Sequence, residues 1–182
     1  MDSSIHWYSR FIDDPPGSSM PDLTKLAEQL VSRLSDSSRT IAVAESCSAG
    51  ALANSLAQPE RAGDVLFGGF VTYMVAAKIC ALGIPATLIE EYSAVSRPVA
   101  RAMAEGTLEH APVDFALALT GVTGFVEDDR GNPRGRIFVA AATKCGRRLE
   151  CHCELGPLPP AVLLDAALRT AISLGLELLK PA

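Results

Sequence analysis

The junction at residues 40–50 constrains this chain more than any other feature. Thr40-Ile41-Ala42-Val43-Ala44 is a short, β-prone apolar run. It passes without a break into Glu45-Ser46-Cys47-Ser48-Ala49-Gly50 and a helical stretch that continues to about Gln58. A brief apolar run with no polar alternation predicts a buried strand. A buried strand that turns straight into a helix belongs to an architecture of strands and helices in alternation.

The rest of the chain repeats that grammar. Upstream, Leu23, Leu26, Ala27, Leu30, Val31 and Leu34 keep helical spacing, with Asp22 as the cap and Ser35-Asp36-Ser37-Ser38 as the stop. Val65 to Thr72 predicts a second strand, and Gly68-Gly69 in its middle predicts a bulge or a close approach. Val75 to Leu82 predicts a helix that Gly83 ends. Ser96 caps a helix with Val99, Ala100, Met103, Ala104 and Leu108 on its inner face. Phe115 to Leu119 is a third strand, Ile137 to Thr143 and Leu149 to Leu155 form a hairpin, and a last helix covers Ala161 to Leu179. The loop from Val122 to Arg134 is long for a compact domain, which marks it for function or mobility. The expected fold is a three-layer α/β/α sandwich with a mixed, mostly parallel sheet, formed by residues 21–182 as one domain. Residues 1–20, rich in Ser, Asp, Pro and Gly and without a period, read as a mobile arm.

Composition narrows the function classes. A chain of 182 residues, 48% hydrophobic and only 5% aromatic, suits a single aliphatic core. The net charge of −5 and the lack of a Lys/Arg cluster argue against a nucleic-acid partner, and Arg147-Arg148 reads as part of a turn. No apolar run approaches the roughly 18 residues of a membrane span. Met1 to Met20 lacks the basic-then-apolar order of a signal peptide, so the expected location is the cytoplasm. Five cysteines without C-x-x-C spacing form neither a disulfide framework nor a zinc motif. Cys151 and Cys153 share one strand face, but two ligands do not complete a tetrahedral metal site.

Three of the strands end in polar residues: Ser46 and Ser48 after the first, Thr72 and Tyr73 after the second, Thr120 after the third. If the strands are parallel neighbours, these groups meet at the carboxyl edge of the sheet, where α/β proteins bind ligands. Ser46 and Ser48 read either as helix caps or as groups beside a free helix N-terminus, where small Ser48, Ala49 and Gly50 admit a ligand to backbone N–H groups. A serine held there attacks a carbonyl if something takes its proton. None of the three histidines, His6, His110 and His152, is placed for a Ser-His-Asp triad. Lys78 stands in an apolar helical stretch where desolvation makes a lysine a usable base, although a solvated surface lysine fits the same local sequence.

Four ordered blocks carry a resemblance. Ala44-Glu45-Ser46-Cys47-Ser48-Ala49-Gly50, Phe67-Gly68-Gly69-Phe70-Val71-Thr72-Tyr73 with Ala77-Lys78, Ala94-Val95-Ser96, and Ala116-Leu117-Ala118-Leu119-Thr120-Gly121 resemble the motif blocks of the CinA C-terminal (competence/damage-inducible) family, over about Leu23 to Leu179. The resemblance implies an α/β homodimer that deamidates nicotinamide mononucleotide to nicotinate mononucleotide and ammonia, a step of NAD salvage in the pyridine nucleotide cycle. It implies Ser46 as nucleophile, Lys78 as its base and Tyr73 in support of the dyad or of the nicotinamide ring. Ser48, Ala49, Gly50, Gly69, Thr72, Thr120 and Gly121 are then the expected substrate-binding positions, with a small-molecule nucleotide as partner and no metal or cofactor.

The chain departs from the family pattern at several points. Ser48-Ala49-Gly50 stands for Thr-Gly-Gly, Met74-Val75 for Ser-Asn, and Val122-Thr123-Gly124-Phe125 for a glycine-rich loop, followed here by Glu127-Asp128-Asp129. The family's Gly-Asp-Arg before the last helix becomes Gly156-Pro157-Leu158-Pro159-Pro160, which removes a guanidinium suited to phosphate. Arg134 and Arg136 are either its substitutes or ordinary surface charges. The alternative to an amidohydrolase is a non-catalytic nucleotide-binding or regulatory domain that has lost the phosphate-binding arginine.

Overall fold

The computed structural model describes residues 22–181, so the reading of residues 1–20 as a mobile arm lies outside the described residues. The described residues form seven helices and five strands. In chain order these are α1 (Leu23–Asp36), β1 (Ile41–Glu45), α2 (Ala51–Ala57), α3 (Ala62–Val65), β2 (Leu66–Val71), α4 (Val75–Leu82), α5 (Ala86–Tyr92), α6 (Arg97–His110), β3 (Phe115–Gly121), β4 (Arg136–Thr143), β5 (Arg148–Glu154) and α7 (Pro160–Leu178). The expected elements are all present within a residue or two. Helices α3 and α5 are additions, too short to leave a clear period in sequence.

The sheet order is β2-β1-β3-β4-β5. β1 pairs in parallel with β2 and β3, while β4 is antiparallel to both β3 and β5, so four of the five strands point one way. This is the mixed sheet of an α/β/α sandwich, with two parallel and two antiparallel pairings. The register between β1 and β2 slips at Ile41/Ala42, because Ile41 faces Leu66 and Ala42 faces Gly68. That slip is the bulge which Gly68-Gly69 announced. A side chain at Gly69 would put its Cβ 2.7 Å from Val43 Cγ2, so this glycine serves the close approach of β2 to β1.

The two faces of the sheet are built differently. Ile41 and Val43 of β1, Phe115, Leu117 and Leu119 of β3, and Ile137 and Val139 of β4 pack in one cluster with α1 and α7. The alternate residues on the opposite face are Ala44, Ala116, Ala118, Ala140 and Ala142, which pack against Val99, Ala100, Met103 and Ala104 of α6. Residues on a strand alternate between faces with period two, so the sequence pattern large-Ala-large-Ala makes one thick layer and one thin one. Over the thin layer α6 lies close to the sheet, and α4 in turn lies close to α6. At Gly106 of α6 a Cβ would stand 2.3 Å from the carbonyl oxygen of Leu82 in α4, a crossing that only glycine permits. No helix among the described residues is long and apolar enough to cross a membrane.

Candidate active site

The site grows from the end of β1. Strand pairing holds this end on both sides: Thr72 N–H donates to Glu45 O at 2.8 Å, and Ser46 N–H donates to Leu119 O at 3.0 Å. Alternation then sends successive side chains to opposite faces. Glu45, on the thick face, reaches α2. Ser46, on the thin face, reaches α4.

Glu45 is fully buried and caps the helix that follows it in sequence. Its Oε2 accepts from Leu52 N at 3.0 Å and from Ser48 Oγ at 2.6 Å, and its Oε1 accepts from Ala53 N at 3.0 Å. The first turn of α2 has no cap from its own N-cap residue, Gly50, so the carboxylate of the preceding strand supplies one. A negative charge at a helix N-terminus is favoured by the dipole and by the free N–H groups. The expectation that Ser46 or Ser48 caps this helix is thereby corrected: Ser48 donates to the cap instead of forming it. Ala49 (φ 50) and Gly50 (φ 102) complete the tight turn in left-handed conformations, which glycine adopts freely.

Lys78 is 1% exposed, and its Nζ lies 3.0 Å from Ser46 Oγ and 2.6 Å from Thr72 O. Among the described residues no carboxylate forms an ion pair with it. Burial therefore dominates and lowers its pKa from the usual 10.5 to about 8. A lysine in that state shares its proton readily near neutral pH, and its closest hydroxyl is Ser46. Cys47, next in sequence, lines the same cleft, but burial pushes its thiol up to about 12. It is a neutral, weakly nucleophilic thiol under ordinary conditions.

A cleft of about 810 Å³ opens over the Ser46–Lys78 pair, within the size range of small-molecule sites. Of the expected site residues, Ser46, Lys78, Tyr73, Thr120 and Gly121 line it. Thr120 is buried, and its Oγ1 donates to Ala94 O at 3.0 Å, tying the end of β3 to the segment before α6. Tyr73 is 68% exposed at the mouth and makes no hydrogen bond to either member of the pair. Ser48, Ala49, Gly50, Gly69 and Thr72 are not on the cleft wall. Thr72 is fully buried and acts through its carbonyl oxygen, which orients Lys78, while its hydroxyl has no hydrogen-bond partner.

Sequence reasoning missed two contributors. Helix α5 and the residues after it supply Ala86, Ile89, Glu90 and Ser93 to the wall; the signal, Pro85 before a seven-residue helix, is faint. Arg130, on the long loop, also lines the cleft, and its guanidinium donates to Glu90 O at 2.9 Å. Arg134 and Arg136 lie off the cleft wall. Arg134 donates to Gly124 O and Leu158 O, at 3.0 and 2.7 Å, and Arg136 pairs with Glu154 at 2.7 Å and reaches Asn132. Both are occupied in shaping the loop. Thr123 Oγ1 donates to Cys47 O at 3.1 Å and ties that loop to the turn carrying the serine.

Comparisons with known proteins agree with this architecture. A family model described as the CinA C-terminal domain matches residues 23–174. A CinA-like protein of Prochlorococcus marinus (strain MIT 9313) is 35% identical over 137 residues, which cover 75% of this chain and 30% of the relative. A CinA-like protein of Synechococcus sp. (strain CC9902) is 38% identical over 121 residues, covering 66% of this chain and 29% of its own length. The chain thus spans about a third of the curated relatives it matches. Among solved structures, the competence/damage inducible protein CihA from Agrobacterium tumefaciens superposes with a TM-score of 0.85 at 29% identity, covering 90% of this chain and 99% of that one. A competence-damaged protein (CinA) superfamily protein from Escherichia coli gives 0.81 at 31% identity, covering 87% and 91%. With the strand order, the serine turn and a family match over most of its length, this chain belongs to the CinA C-terminal domain family.

Proposed function

We propose that the protein is a serine amidohydrolase that removes the carboxamide nitrogen of a pyridine nucleotide, or of a related pyridinium compound, as ammonia. One observation carries the reading: Lys78 Nζ stands 3.0 Å from Ser46 Oγ inside a cleft that admits a small molecule. Burying a lysine without a carboxylate partner is costly, and a site retains it when the lowered pKa is useful.

The chemistry balances with these two groups. Neutral Lys78 takes the proton of Ser46 Oγ as the oxygen attacks the carboxamide carbon, and the carbonyl oxygen becomes an oxyanion. The backbone N–H groups of Cys47 and Ser48, which follow the nucleophile, donate to no other backbone group among the described residues and are suited to that negative charge. Collapse of the intermediate breaks the C–N bond, and Lys78 returns its proton to the departing nitrogen, which leaves as ammonia. A water then attacks the Ser46 ester, losing its proton to Lys78. The carboxylate departs and Ser46 recovers its hydrogen.

Ammonia release from nicotinamide mononucleotide and from nicotinamide riboside by purified protein tests the reading, with an acyl-Ser46 adduct sought by mass spectrometry after rapid quench. Turnover lost in Ser46→Ala is the expected result. Absence of ammonia from both compounds, with binding retained, would favour the nucleotide-binding or regulatory alternative.

A further inference from the structure

The cleft has an unbalanced charge. Four carboxylates line it (Glu90, Glu127, Asp128 and Asp129) against two cations, Arg130 and the catalytic candidate Lys78. Among the described residues none of those four carboxylates forms an ion pair. Asp128 is held by neutral donors only, accepting from the backbone N–H groups of Arg130 and Asn132 and from Asn132 Nδ2 at 2.7–3.0 Å, so its charge is oriented but not cancelled. The arginines that flank the loop, Arg134 and Arg136, are engaged elsewhere and do not reach the cleft. When Lys78 is in its neutral, reactive form, one guanidinium faces four carboxylates.

The mouth adds a second preference. Tyr73, Met74, Phe125 and Val126 all line the cleft and are 68%, 71%, 82% and 73% exposed. The ring faces of Tyr73 and Phe125 and the polarisable Met74 at a negatively charged opening suit a planar cation, which gains from ring faces as well as from carboxylates. A phosphate dianion suits neither.

We infer that the cleft selects a positively charged, phosphate-free pyridinium carboxamide, and discriminates against the same carboxamide once it carries a phosphate. This inference rests on the amidohydrolase reading for what happens to the ligand, but the selection itself is a property of binding. Nicotinamide riboside carries one positive charge, from its ring. The mononucleotide adds a phosphate dianion and is net negative. Opposite net charges entering one acidic cleft separate in affinity, and the separation shrinks as salt screens the exposed rim.

The test measures equilibrium binding of nicotinamide riboside and of nicotinamide mononucleotide to full-length Ser46→Ala protein, which holds ligand without turnover. The riboside should bind at least tenfold tighter at low salt, and the ratio should fall severalfold by 0.5 M NaCl. Glu127→Gln with Asp129→Asn should also compress the ratio severalfold; both positions are exposed, so the fold is not at risk. Equal or tighter binding of the mononucleotide would overturn the inference, and Arg130→Ala would then show whether that one guanidinium holds the phosphate. Undetectable binding of both compounds, or a riboside preference that neither salt nor the double substitution moves, would overturn it too. Ammonia assays on wild-type protein separate the two ideas. Preferential riboside binding with no ammonia sinks the hydrolase and leaves the selection. Ammonia from the mononucleotide in preference to the riboside sinks the selection and leaves the hydrolase.

Discussion

The two faces of the sheet divide the work of the molecule. On the thick face, Phe115, Leu117, Leu119, Ile137 and Val139 meet the apolar stripes of α1 and α7. On the thin face, a run of alanines meets α6, and at its edge stand Ser46, Lys78 and the cleft. Large aliphatic side chains give the first face most of the area removed from water, hence most of the stability. Alanines give the second little area but bring backbone and helices close together, which sets polar groups at fixed separations. The lesson is that this fold keeps its main core and its candidate site on opposite sides of one layer, with Glu45 and Ser46 as adjacent residues facing each way.

The comparison breaks most visibly at the site. Ser46→Ala and Lys78→Met should each lower turnover at least ~10³-fold, and the double variant should be scarcely worse, because nucleophile and base act as a unit. Thermal and urea unfolding should show Ser46→Ala within about 1 kcal/mol of wild type. Full activity in Ser46→Ala would end the covalent mechanism. Activity lost in Ser46→Ala but kept in Lys78→Met would send the search for the base elsewhere.

On the opposite face of the same sheet, Leu117→Ala in β3 should cost about 2–5 kcal/mol of stability, while kcat/KM of the folded protein holds. Its neighbour Ala118 faces the thin layer, where Ala118→Val should cost about 1–3 kcal/mol through overpacking and should reduce turnover as α6 shifts. Equal effects of these two substitutions on kcat/KM would show that the faces are not functionally distinct.

Lys78 links the faces to pH. The folded lysine gives up its proton near pH 8, the unfolded one near 10.5, so between these values the unfolded chain binds more protons and stability rises with pH. Relative to Lys78→Met, the wild type should gain up to about 3 kcal/mol across that window in urea titrations, with no relative change below it. Turnover should rise along a limb centred near pH 8, as the neutral amine becomes available. A flat difference between the two proteins would mean that the lysine is not desolvated.

The smallest effect is expected at the junction. Ser48→Ala removes one of three donors to Glu45 and should cost about 1 kcal/mol, lowering turnover only modestly. A loss as large as that of Ser46→Ala would assign Ser48 to the chemistry rather than to holding the turn.

Much of this was legible in the chain. The apolar run Ile41–Ala44, the caps at Asp22, Ser96 and Gly83, the Gly68-Gly69 bulge and the hairpin after Ile137 are local signals, each set by neighbours within a few residues, and the structure honours them. The large-Ala alternation of β1 and β3 also determined, by itself, that the sheet has unequal faces and that Glu45 and Ser46 part company. What the chain could not settle alone is what lies opposite each polar group. Lys78 is 32 residues from Ser46, and only the placement of β2 beside β1 turns an ordinary helical lysine into a buried partner of that serine. Thr72 looked like a ligand contact but turned inward, with its carbonyl taken by Lys78. Arg134 and Arg136 looked available for phosphate until the loop claimed them. Periodicity and capping are short-range and therefore written in sequence; burial, pairing and the charge of a cleft come from segments that meet only after the chain has folded.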